Sequence, residues 1–141
     1  MNRISAIGLL TIASLATCTG AIAQQPTLKA NIPFGFTIGD TWMPAGEYTI
    51  STPVREVVQV RSADLAKIAS IVSIQSFNES KSGSQLVFDK YGDQYFLRHV
   101  LCPSMASLNL DVPQGKAEKK ARSRALEANL HSGEETMVAA K

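Results

Sequence analysis

The sequence predicts a mainly β fold: a single antiparallel β-sandwich or partly open β-barrel of about six or seven strands, with one C-terminal α-helix. Three observations carry this expectation. Ile32, Phe34, Phe36 and Ile38 alternate with Asn31, Pro33, Gly35 and Thr37, the period of two that turns one face of a strand inward. Residues 85–90 and 94–102 are two strand-like runs around Tyr91-Gly92-Asp93, where glycine can take the left-handed conformation that a hairpin turn needs. From residue 114 the composition shifts to Ala, Lys, Arg, Glu and Leu, which favour helix.

A chain of 141 residues with 45% apolar, 18% charged and 6% aromatic side chains has room for one modest core. That apolar share excludes wholesale disorder, and nine Gly with six Pro exclude a collagen-like chain. A net charge of +2 creates no strong field for nucleic acid, which is not an expected partner.

Residues 1–23 read as a cleaved signal peptide. Met1-Asn2-Arg3 supplies a positive charge, and residues 4–16 form an apolar run too short for a membrane span of about 20 residues. Ala21 and Ala23 are the small residues that signal peptidase requires, so cleavage is expected before Gln24. The product is expected to be exported, periplasmic or extracellular, with no transmembrane segment in the mature chain. A lipid anchor at Cys18 is the alternative, although Thr17 stands where lipoprotein signals usually carry Gly, Ala or Ser. Loss of the leader removes Arg3 and Cys18, leaving Cys102 without an internal disulfide partner. Cys102 is then either buried and inert in a strand or a bridge between two chains.

Residues 24–29 are expected to be a short linker and residues 30–102 the β-domain. Pro33 has no amide proton and Gly35 packs poorly, which puts the first strand at an edge or a bulge, open to a partner. Gly39-Asp40 ends it, and Pro44-Ala45-Gly46 suits a tight turn before Tyr48 and Ile50 resume the alternation. Thr52-Pro53 is expected to break that strand, residues 57–60 to form the next, and Ser62-Ala63-Asp64 to turn. Over 67–77 the apolar spacing also fits a helix, but β-branched Ile68, Ile71, Val72 and Ile74 favour a strand. Residues 78–84 form a polar loop. In the hairpin, Leu86 and Phe88 share one face, and so do Tyr95, Leu97 and Leu101. Residues 103–113 read as a connector and 114–130 as a helix with a thin stripe of Ala117, Ala121, Ala125 and Ala128. Ser132-Gly133 is a helix stop, and 131–141 read as a disordered tail.

On Ile32-Pro33-Phe34-Gly35-Phe36, Met43-Pro44-Ala45-Gly46-Glu47-Tyr48 and the run from Leu86 through Tyr91-Gly92-Asp93 to Leu97, the chain resembles a family of small, functionally uncharacterised exported proteins common in acidobacterial genomes. The resemblance covers residues 30–122, and Pro113 with Lys116-Ala117-Glu118 is similar to the pattern that opens the family's C-terminal helix. Leu101-Cys102-Pro103 departs from it, since the family more often carries a tryptophan and a Gly-rich loop there. The resemblance implies an exported β-domain and supplies no catalytic residue.

No chemistry-bearing constellation emerges from the residues. His99 and His131 are the two histidines, the latter in the expected tail, and His99 and Cys102, three apart on one strand, face opposite ways and cannot share a metal ion without a bulge. Asp89 and Asp93 bracket the hairpin turn; a carboxylate pair for acid–base work or calcium is the alternative, but turn chemistry, in which Asp bonds local amides, explains them better. Gly-x-Ser-x-Gly and phosphate-loop patterns are missing, so no catalytic residue, metal or cofactor is expected. Trp42, Tyr48, Tyr91 and Tyr95 are expected mostly to fill the core. Lys116, Lys119, Lys120, Arg122 and Arg124 form the strongest charge cluster, either a solvated helix face or a contact for an anion or the envelope. The expectation is therefore a non-enzymatic exported module, structural or binding a protein or envelope component. A small lipocalin-like carrier of an apolar ligand is the alternative, and a hydrolase ranks behind both.

Overall fold

The computed structural model describes residues 24–128 and 132–141. The expected leader with Cys18, Ala21 and Ala23 lies outside the described residues, as do His131 and residues 129–130 at the end of the expected helix.

The described residues are mainly β, with strands in two sheets and one α-helix near the C-terminus. The strands are β1 (Thr27–Ile32), β2 (Phe36–Ile38), β3 (Thr41–Met43), β4 (Gly46–Val54), β5 (Val57–Ser62), β6 (Ile68–Val72), β7 (Ile74–Gln75), β8 (Gln85–Tyr91), β9 (Gln94–Leu101), β10 (Leu110–Asp111) and β11 (Ser132–Ala139). The helix is α1 (Lys116–Glu127). The first sheet runs β1-β4-β5-β6 and the second β11-β8-β9-β10-β7; the β2–β3 hairpin joins β9 through a parallel pair. Two seams curl these sheets into a half-barrel. Ser73 alone separates β6 in one sheet from β7 in the other. At the other seam Ala30 bridges to Ala140, and the amides of Lys29 and Lys141 donate to each other's carbonyls at 2.7 and 2.8 Å.

The strands outnumber the expectation because longer runs are cut by bends. The alternation over 31–38 is interrupted at Pro33-Phe34-Gly35, so Ile32 ends a strand in the first sheet while Phe36 begins one attached to the second. Both still point inward. Phe36 meets Tyr48 and Phe88 edge-on at 5.2 and 5.4 Å, and Phe34 stacks on Tyr95 at 4.0 Å. Leu28, Ile32, Phe36, Ile38, Met43, Ile50, Val58, Leu86, Phe88 and Leu108 are among the fully buried side chains that fill the interior.

The hairpin forms where expected, with Gly92 at φ 60°, but its faces are corrected by a bulge. Val87 faces His99 and Phe88 faces Leu97, leaving Arg98 as the extra residue of β9. One inserted residue reverses which parity faces the core. The inward set is therefore Tyr95, Leu97, Val100 and Cys102, and Leu101 does not join it.

Other expectations are corrected as well. The linker 24–29 gives its second half to β1, because Leu28 has a place in the core. Thr52-Pro53 does not end its strand; it produces a register shift within β4. The connector 103–113 contains a 3-10 turn, Ala106–Leu108, and strand β10, with Leu108, Leu110 and Val112 buried. The expected disordered tail is β11, paired along β8, where it satisfies an edge that would otherwise stay open. Its alternation is masked in the sequence by Glu134 and Glu135, while Val138 and Ala140 pack against the core.

The helix buries Glu118, Ala121 and Ala125, whereas Ala117 and Ala128 are exposed. The two alanines pack against Tyr91 and Phe96 on the outer side of the second sheet. Its N-cap residue, Gly115, offers no side chain, and the Asp40 carboxylate of the β2–β3 turn substitutes for it, accepting from the Ala117 amide at 3.0 Å. A Cβ on Gly115 would stand 2.4 Å from the Gly39 carbonyl oxygen, so this approach requires glycine. Among the described residues, no helix is long and apolar enough to cross a membrane.

Candidate functional site

Two surfaces stand out, one charged and one apolar. The charged surface is the outer side of α1, where Lys116, Lys119, Lys120, Arg122 and Arg124 are all exposed. What holds this face in place is a charge cluster beneath the helix. Arg98, aimed outward by the β9 bulge, lies with Nε 3.3 Å from Asp89 and 3.8 Å from Glu118, and a terminal nitrogen donates to the Val112 carbonyl at 2.7 Å. Glu118 is 2% exposed, and its Oε1 lacks a hydrogen bond within normal limits. Burial pushes the Glu118 carboxyl above the usual carboxylate range, opposed by Arg98 and reinforced by Asp89. The Tyr91 hydroxyl reaches Asp89 at 3.4 Å; its pKa is raised, first by burial and then by the carboxylates of Asp89 and Glu118.

The apolar surface runs from the β6 edge of the first sheet across Ser73 to β7 of the second. Ile68, Val72 and Ile74 are more than half exposed along one continuous stretch, Phe77 is 93% exposed beyond it, and Val54 carries the apolar character across to β4. Trp42, expected in the core, is 58% exposed, with its ring against Gly35 and the Lys67 ammonium 5.3 Å from its centroid. Tyr48 and Tyr91 are buried as expected; Tyr48 donates its hydroxyl proton to the Pro44 carbonyl across the turn.

The residues weighed for chemistry do not converge. His99 Nδ1 lies 2.6 Å from Asp111 Oδ1 across the β9–β10 pair, half-buried, while Cys102 is buried on the opposite side with the Ser84 hydroxyl 3.3 Å from its sulfur. Such a His–Asp pair would orient an imidazole for base catalysis, but no Ser, Thr or Cys hydrogen-bonds to His99 among the described residues. Asp93 is exposed beside the turn, and Asp89 serves Arg98 instead of the turn amides. Among the described residues, no three His, Cys, Asp or Glu side chains gather as a metal site. Gln24 is exposed.

Sequence reasoning located the basic face and missed both its anchor and the apolar edge. The Glu118 signal was present as a spacing: Glu118, Ala121 and Ala125 form a stripe only if the carboxylate is counted with the alanines. No family model, curated protein or solved structure matches the chain.

Proposed function

We propose that this protein is an exported, non-enzymatic β-domain, a structural or binding module that presents the basic face of α1 to an anionic component of the cell envelope. The observation that carries the reading is the contrast within one short helix. Its inner side is fixed by a capped N-terminus and the Arg98–Glu118–Asp89 cluster, while all five of its cations, from Lys116 to Arg124, remain exposed. A helix needed only for stability has no use for so dense a cationic face, and like charges spaced this closely cost energy when unpaired. The buried side chains of the interior favour a module, and the cleft of about 640 Å³ beside β1 and β4 is lined by Lys29, Glu47 and Lys141 as well as Ala30 and Tyr48, a mixed lining that suits a carrier of an apolar ligand less well. Export, to the periplasm or the exterior, rests on the leader-like residues 1–23 and on the resemblance to exported acidobacterial proteins.

The test is sedimentation of the purified protein with vesicles containing anionic lipid, at low and high salt. Binding is expected at low salt and release at high salt, because the attraction is between exposed charges. The charge-reversed variant Lys116→Glu/Lys119→Glu/Lys120→Glu, which spares Arg122 beside Glu118, is expected to stay unbound while melting at an unchanged temperature. Equal binding by that variant would remove the helix face from the reading.

A further inference from the structure

The sequence places an open edge at the first strand, but in the structure residues 140–141 occupy that side of β1. Among the described residues, the unpaired edge of the first sheet is β6. Its backbone directions follow from its pairing with β5, because Ser62 bonds to Lys67 and Ser73 to Glu56 in an antiparallel register. Alternation then turns the amides and carbonyls of residues 67, 69, 71 and 73 toward β5 and those of Ile68, Ser70 and Val72 away from it. The devices that usually protect an edge are missing: Ile68-Ala69-Ser70-Ile71-Val72 contains no charge and no proline, and its pairing with β5 is unbroken.

We propose that β6 pairs with β6 of a second copy of this chain, antiparallel about a twofold axis through Ser70. The stretch is self-complementary in that register. Ile68 falls opposite the partner's Val72 and Ser70 opposite the partner's Ser70, and every outward amide and carbonyl of the strand finds its counterpart. The side chains agree with the backbone. Val54, Val57 and Val72 lie in one row across β4, β5 and β6, and the proposed pairing continues this row into the partner's Ile68. An isologous contact of this kind closes on itself, giving a dimer and no fibre. The surface belongs to the first sheet, whereas α1 packs on the second, so the inference goes beyond the helix face and leaves it uncovered in both copies.

The test is sedimentation equilibrium of the purified protein over a range of concentrations. The expected result is a reversible monomer–dimer equilibrium in the parent protein. Ser70→Lys sets two cations side by side at the axis and is expected to weaken dimerisation at least tenfold, with the melting temperature of the dilute monomer unchanged. Mixing Ser70→Lys with Ser70→Glu is expected to restore a heterodimer. A protein that stays monomeric throughout, a dimer indifferent to Ser70→Lys, or open-ended polymerisation would each overturn the proposal. Binding of Ser70→Lys to anionic vesicles is expected to be unimpaired, which keeps this test separate from that of the helix face.

Discussion

The outer face of the second sheet and the free edge of the first are both departures from a simple rule of apolar inside and polar outside, in opposite directions. Under α1 a carboxylate is buried and held by Arg98; along β6 isoleucine and valine are left in water. The first arrangement is costly unless every partner is present, since a buried charge without compensation is destabilising. The second costs little to the monomer, because exposed apolar residues on an edge are tolerated until something pairs with them. The comparison separates a feature that fixes one helix in position from a feature that leaves a strand available.

Breaking the covered side is expected to have the larger effect. Arg98→Ala strands Glu118 and removes the donor from the Val112 carbonyl, and should cost about 3–5 kcal/mol in urea unfolding. A loss below about 1 kcal/mol would mean that the cluster is solvated and does not anchor the helix.

Glu118 itself sharpens the comparison through pH. Because its folded pKa is raised, chiefly by burial, the folded state binds the proton more tightly than the unfolded chain. Its contribution to stability is therefore full below the ordinary glutamate value and is lost as pH rises through the raised folded value. Glu118→Gln is expected to flatten that fall, leaving the variant within about 1 kcal/mol of the parent at neutral pH. Asp64 works in the other direction, since its hydrogen bond from Ser62 lowers its pKa; the comparison is therefore made as a difference between parent and variant at each pH. Identical pH profiles for the two proteins would contradict the burial of a charged Glu118.

On the open side the expected effect is smallest. Ile68→Thr keeps a β-branched residue on an exposed position and should change stability at a concentration where the protein is monomeric by no more than about 0.5 kcal/mol. A larger destabilisation would show that β6 is packed against something within its own chain.

The sequence was legible where one segment decides its own structure. The Gly92 hairpin and the inward set Ile32, Phe36 and Ile38 stand where the alternation puts them, and within 67–77 the β-branched residues lie in strands as predicted, although Ser73 divides the stretch into β6 and β7 of different sheets. It was illegible where a distant partner decides. Residues 132–139 become a strand because β8 presents an edge to them, and nothing local distinguishes Glu134 and Glu135 from a solvated tail. The candidate site divides the same way: five cations on one helix can be counted, but the burial of Glu118 depends on a bulge that aims Arg98 outward, and a bulge is a property of two strands.

The seam at Ala30 and Ala140 joins the earliest described strand to the last, which makes closure of the half-barrel a matter of timing as well as energy. Pairing over so long a separation carries a large loop-closure entropy and is slow. Until the C-terminal segment docks, β1 and β8 stand with their edges open. Removal of residues 132–141 would make that interval permanent, exposing two edges at once and turning a folding domain into an aggregating one.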